Sequence, residues 1–215
     1  MKLNSFYYNI IDKDKINGYE VLQKLERAGR VCYKSEDKID KGTAYNFVKK
    51  LISRGHHSVL EHYSFTVCFN VDRAVSHELV RHRLASFSQS STRYCDYTQG
   101  KFNNEINFSD FIPRCDSETR DKIIEHLKNT EDLYKHLKDK GVKNDLRRRI
   151  LPLSTMTELY ITANLREWRH ILKLRSNKSA DDLLYNLMQE LLWELKSIFP
   201  VIFDDIFQQN IYLGD

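Results

Sequence analysis

The sequence predicts an α+β fold in a single domain covering residues 1–215, on three observations. Stretches with helical periodicity outnumber alternating ones, the two kinds follow each other in irregular order, and no linker, repeat or low-complexity tract divides the chain. A regular βαβ array would show strict alternation instead. At this length one core can bury roughly 70% of the unfolded surface.

The elements follow in order. Leu3 to Ile11 predicts a short first strand, and helices follow near 18–33 and 41–54. In the second helix Ala44, Phe47, Val48, Leu51 and Ile52 recur at helical spacing as far as Gly55. YSFTVCFNV (63–71) alternates and is rich in aromatic and β-branched residues, which predicts a strand. A helix is expected from Arg73 to about Arg83, giving way to a polar, serine-rich stretch that ends in RYCDY. Residues 117–140 predict a long solvated helix with Gly141 beyond its end, and a short helix should run from Asn144 to before Pro152. STMTELYITANL then predicts a strand, LREWRHILKLR a helix, and 181–199 an amphipathic helix stopped by Pro200.

Composition narrows the function classes. With 41% hydrophobic residues, three prolines and 12% aromatics the chain is expected to fold compactly. Lys and Arg number 34 against 30 for Asp and Glu, so bulk charge gives no case for nucleic-acid binding. Cysteines 32, 68, 95 and 115 form no C-x-x-C pair, which predicts reduced thiols and no metal site. No run of 18 apolar residues occurs, and the opening MKLNSFYYNIIDKDK lacks an apolar signal core, so a cytoplasmic protein without membrane contact is expected.

Two segments carry chemistry. HELVRHRLASFSQSSTRY (77–94) sets Arg81, His82 and Arg83 at a helix end, beside a loop with Ser86, Ser88, Gln89, Ser90, Ser91 and Arg93. Guanidinium forks grip phosphate or carboxylate bidentately, and hydroxyls complete such a site. The bland alternative is a solvated basic helix end followed by a flexible loop. In 164–175, Leu165, Trp168, Leu172 and Arg175 fall on one helical stripe, so Arg175 emerges at the end of a core-like face. A snorkelling or helix-capping arginine is the competing reading there.

R-H-R followed by seven residues and serine, Arg81 to Ser91, resembles the signature of flavin-dependent thymidylate synthases. Three further segments are similar to that family in its order: GHHSVLEH (55–62), RRILP (148–152) and NLREWRHILKLR (164–175). The resemblance covers about residues 55 to 175; the first 50 residues add little. It implies an antiparallel sheet flanked by helices, and reductive methylation of dUMP to dTMP. The carbon donor would be 5,10-methylenetetrahydrofolate, and FAD reduced by NADPH the hydride source. It further implies a homotetramer with active sites shared among subunits.

Residue by residue, the resemblance assigns Ser58, Arg81, His82, Arg83, Gln89, Asn164, Arg166 and His170 to flavin binding, with His56 nearby. It assigns Glu78, Leu79, Val80, Arg81, Gln89, Ser90, Ser91, Thr92, Arg93, Arg148 and Arg175 to dUMP binding. Arg175 matches the residue that activates the uracil ring. Gln89 stands where some members carry glutamate, which bears on tuning rather than identity.

Rival readings meet physical objections. A zincin needs H-E-x-x-H, but His77 and His82 are five apart, and HHSVLEH has one residue too many for H-x-x-E-H. A nucleic-acid module could use RHR, LRRRIL and REWRHILKLR, although acidic residues interrupt any basic face. A cysteine-dependent thymidylate synthase would need a Pro-Cys-His setting, which VCYK, VCFN, YCDY and RCDS do not provide. Ser91 has no recognisable histidine–acid relay and is expected to bind rather than attack.

Overall fold

Side chains along β6 (Met156–Asn164) alternate in a computed structural model that describes residues 1–97, 100 and 103–207. Thr157, Leu159, Ile161 and Ala163 are buried, whereas Glu158, Tyr160 and Thr162 face outward. That period of two gives a sheet one apolar face. β3 (Ser64–Asp72) runs antiparallel to it. The Thr66 and Thr162 hydroxyls meet at 2.7 Å, and Arg73 N–H donates to the Thr155 carbonyl at 3.1 Å, so partner numbers fall as β3 advances. β2 (Tyr7–Ile10) and β4 (Ser86–Gln89) complete the order β2-β3-β6-β4. This is the antiparallel sheet that the resemblance implied.

Contacts divide the chain into two compact units, and β3 and β6 each begin in one and end in the other. The first comprises Met1–Tyr7, Phe69–Arg81 and Phe87–Tyr160. Here β1 (Lys2–Asn4) pairs in parallel with β5 (Asn107–Ser109), matching Lys2 to Asn107 and Asn4 to Ser109. The strand expected from Leu3 to Ile11 is therefore two strands in different sheets, and β5 was not foreseen. Partner choice across a hundred residues, not local pattern, separates them.

α3 (Arg73–Leu79) starts where the Asp72 carboxylate accepts from Val75 N–H at 2.9 Å, and it stops four residues short of the expected end. Arg81, His82 and Arg83 thus lie in a turn before β4, not on a helix end. α4 (Ser117–Asp139) is capped by Asp116 and ends before Gly141, whose φ of +75° suits glycine. It is not solvated all round. Leu127 and Tyr134 join Tyr97, Ile106 and Phe108 in this unit's core. α5 (Asn144–Arg147) and a 3₁₀ turn at Arg148–Ile150 precede β6.

The second unit comprises Tyr8–Cys68, His82–Ser86 and the chain from Ile161 onward. α1 (Gly18–Val31) packs on α2 (Thr43–Ser53) and on a 3₁₀ turn at His57–His62. Gly18 is required at its position, because a Cβ would run into the Ile198 carbonyl oxygen. α6 (Leu165–Arg175) begins at Leu165 because Asn164 Oδ1 accepts from Glu167 N–H at 2.9 Å, and it packs against α7 (Asp182–Ile198). Leu165, Trp168 and Leu172 are fully buried, as the stripe predicted. Trp168 stacks on Phe65 at 5.1 Å and donates its indole N–H to the Phe65 carbonyl at 3.2 Å. This anchor holds the first turns of α6, the helix that ends at Arg175.

Candidate active site

In the second unit, α6 lays His170 and Arg175 beside His82 from the turn after α3. Arg175 Nε–H donates to His82 Nε2 at 3.1 Å, and the His82 and His170 rings meet edge to face at 5.6 Å. Only 5% of His82 is exposed, and its pKa is lowered to about 4, first by burial, then by the Arg175 charge and by His170. His82 is therefore neutral at pH 7. Since Nε2 accepts a hydrogen bond, Nδ1 carries the ring proton.

The GHHSVLEH segment reaches the same helix. Glu61 Oε1 accepts from Arg166 Nη1 at 2.5 Å. Ser58 and Arg83 are exposed in the turns that follow α2 and α3, and His56 is exposed as well. Asn164 uses its carbonyl oxygen as the α6 cap, so what it can offer a ligand is its amide N–H.

Glu167 was not foreseen at this place. It is 5% exposed, with Oε1 at 3.7 Å from His82 Nδ1, and burial raises its pKa while His170 lowers it. The only signal was N-x-x-E at a helix start, which suggests a capping box rather than a carboxylate facing a histidine. Ligand atoms of His82, Glu167 and His170 lie within 4.8 Å of one another, a spacing that would suit a metal. The His82 tautomer opposes that use: one nitrogen accepts from a cation and the other holds a proton.

In the first unit, Gln89 turns its amide inward, donating to Ser76 Oγ at 2.9 Å and to Thr157 Oγ1 at 3.2 Å. Its carbonyl oxygen is what it can present to a ligand. The Ser76 hydroxyl donates to the Arg73 carbonyl, so glutamate at 89 would need that hydroxyl to turn away. Ser90 Oγ pairs with Thr157 Oγ1 at 2.9 Å, and Arg73 Nη2 donates to the Ser90 carbonyl at 2.8 Å. Arg148 Nη1 donates to Thr92 Oγ1 at 3.2 Å, joining RRILP to the signature segment. Ser91 Oγ accepts from Arg93 N–H at 3.3 Å, an ordinary local turn. Arg81 and Arg93 are exposed, Glu78 and Val80 half-buried. Leu79 is fully buried, so its side chain belongs to the core and only its backbone could meet a nucleotide.

The resemblance-derived sets separate along these lines. Ser58, His82, Arg83, Asn164, Arg166 and His170 fall in the second unit with Arg175; Arg81, Gln89 and the remaining dUMP positions fall in the first. Several arginines of the basic clusters are already paired internally. Arg147 meets Asp96 at 3.2 Å, and Arg169 meets Asp205 at 2.7 Å through both terminal nitrogens. These pairings weaken the nucleic-acid reading.

Fold and site together define an α+β protein in whose second unit arginine and histidine side chains from motifs distant in sequence meet. The family model described as thymidylate synthase complementing protein matches residues 18–201, and the chain belongs to that family. A flavin-dependent thymidylate synthase of Geobacter sulfurreducens is 36% identical over 186 residues, covering 83% of this chain and 78% of the relative. One of Mycobacterium avium is 31% identical over 195 residues, with coverage of 84% and 78%. A crystal structure of a UMP/dUMP methylase, PolB from Streptomyces cacaoi, bound with 5-Br dUMP, has the same fold at a TM-score of 0.76. It is 21% identical and covers 97% of both chains.

Proposed function

We propose that the chain is a flavin-dependent thymidylate synthase, converting dUMP to dTMP with 5,10-methylenetetrahydrofolate as carbon donor and NADPH as reductant. Family membership and the naming of its relatives support the reaction. The observation that carries it to these residues is the contact of Arg175 with His82, which joins the R-H-R signature to the 164–175 block.

The donor set fits FAD. Arg83 is an exposed cation suited to a pyrophosphate, and Arg166 could join it with the N–H groups that its Glu61 pair leaves over, while His82, His170 and Arg175 set neutral and cationic N–H groups beside one another. When bound, reduced FAD supplies the hydride. The protein's part is positioning and polarisation. Arg175 holds negative charge developing on the pyrimidine, raising nucleophilicity at C5, and no residue forms a covalent bond to C6. Gln89, Ser90, Thr92, Arg93 and Arg148 hold the nucleotide, with Ser91 as a binding hydroxyl. The chain crossing between units inside β3 and β6 supports its working as one domain. The family resemblance supports a cytoplasmic homotetramer whose sites are shared among subunits. No described helix is long and apolar enough to cross a membrane.

The test is spectroscopic. Purified protein should be yellow, bleach on anaerobic addition of NADPH, and reoxidise while forming dTMP from dUMP and methylenetetrahydrofolate. A colourless protein that fails to take up added FAD would overturn the proposal.

A further inference from the structure

Glu167 is a nearly buried carboxylate that the assigned site residues do not include. A carboxylate removed from water is costly unless an N–H or a cation faces it. Its Oε1 lies 3.7 Å from His82 Nδ1, and His170 is near enough to act on its charge as well. That separation is too long for a direct hydrogen bond, so the interaction is that of a charge with the ring's polarity. A negative oxygen repels an imidazole lone pair and attracts an N–H. Glu167 therefore favours the tautomer with hydrogen on Nδ1, which leaves the Nε2 lone pair pointing at Arg175 Nε–H, 3.1 Å away.

We propose that Glu167 is a positioning residue: through the tautomer of His82 it fixes the guanidinium plane of Arg175. The three groups form a carboxylate–imidazole–guanidinium chain running across α6 and the turn after α3. In the opposite tautomer two N–H groups would confront each other, and the Arg175 side chain would have to leave His82. Placement follows from helix geometry. Glu167 and His170 are three residues apart on α6, so both project toward the ring of His82, whereas Arg175 reaches it from two turns further along. Trp168 and Leu172, buried on the adjoining face, hold the helix in place.

The inference rests on the proposed reaction for its consequence, but its test is a property of the protein alone. The full chain labelled with 15N-histidine should give His82 resonances with a protonated Nδ1 and an unprotonated Nε2, assigned by their loss in His82→Gln. Glu167→Leu should shift the population toward protonated Nε2. Glu167→Gln, whose amide oxygen still faces Nδ1–H, should retain the wild-type pattern. In turnover, Glu167→Leu should lower kcat for dTMP formation roughly 10–100-fold, on the scale seen when the carboxylate that orients a metal-bound histidine is removed, with KM for dUMP little changed. Glu167→Gln should recover most of that loss.

An unprotonated Nδ1 in the wild type would overturn the inference, as would a wild-type tautomer in Glu167→Leu. A purely structural, helix-capping role would lower the melting temperature of the leucine variant without moving the tautomer. Failure to bind flavin would overturn the proposed activity and leave the tautomer result standing.

Discussion

Arg175 Nε donates to His82 Nε2 across 93 residues of sequence, and this contact gives the R-H-R signature a structural counterpart in α6. It also separates two descriptions of Arg175. A snorkelling or capping arginine would direct its guanidinium to solvent or to the last carbonyls of its own helix. Here the Nε–H meets the ring of a buried histidine.

Arg175→Lys should test that distinction. Lysine keeps the charge but loses the planar fork and the Nε–H aimed at His82. Flavin content, melting temperature and reduction by NADPH should stay near wild type. Reoxidation dependent on dUMP and folate should fall roughly 10²–10³-fold, the effect of losing one donor aimed at developing charge. Stopped-flow measurement of the two half-reactions separates these steps, and a parental reoxidation rate would remove Arg175 from the chemistry.

His82 predicts a direction of pH dependence. Its folded pKa, about 4, lies below the unfolded value of 6.5, because burial and Arg175 disfavour the imidazolium. Between those values the unfolded chain binds more protons, so stability rises with pH. The contribution is complete above about pH 6.5 and is lost as pH falls toward 4. Unfolding free energies by urea titration at several pH values should be steeper in this window for the wild type than for His82→Gln. Parallel curves would contradict the assignment.

Ser91→Ala should still make dTMP. The hydroxyl accepts a 3.3 Å bond from Arg93 N–H and belongs to a local turn. Losing one neutral hydrogen bond costs about 0.5–1.5 kcal/mol, at most roughly tenfold in KM for dUMP. Abolished turnover, or a covalent uridine adduct on Ser91 in the wild type, would make it a nucleophile.

Asp205→Ala should destabilise the protein rather than disable it. Arg169 is 7% exposed and is held by both Asp205 oxygens and by the Ile202 carbonyl. Removing the carboxylate leaves a buried cation short of its partner, although Asp205 is half exposed and water softens the loss. A decrease of about 1–3 kcal/mol in unfolding free energy is expected. An unchanged urea midpoint would show that the pair is dispensable.

How much of this was legible depends on the range of the interactions involved. α6 was legible to the residue, because its cap at Asn164, its apolar stripe and its arginine terminus are all local. β6 was plain as a strand, although the expected stretch, 154–165, overran it at both ends. β4 was not, since SFSQ lacks a hydrophobic face and becomes a strand only through pairing, as when Ser90 N–H donates to the Glu158 carbonyl at 2.9 Å. The early end of α3 was hidden for a related reason. HELVRHR contains no glycine or proline to mark a stop, yet α3 ends at Leu79.

The sequence by itself determined the α+β class, the order of the main elements and the motifs that assign the chain to its family. Each of these is written in periodicity, capping residues or fixed spacing along a short stretch. Only the tertiary structure decided that His82 is buried and neutral, that Gln89 spends its amide on Ser76 and Thr157, and that Glu167 faces an imidazole. Burial and tautomer depend on groups brought together from opposite parts of the chain. Their cost or gain comes from excluding water among those groups, a property no single stretch of sequence possesses.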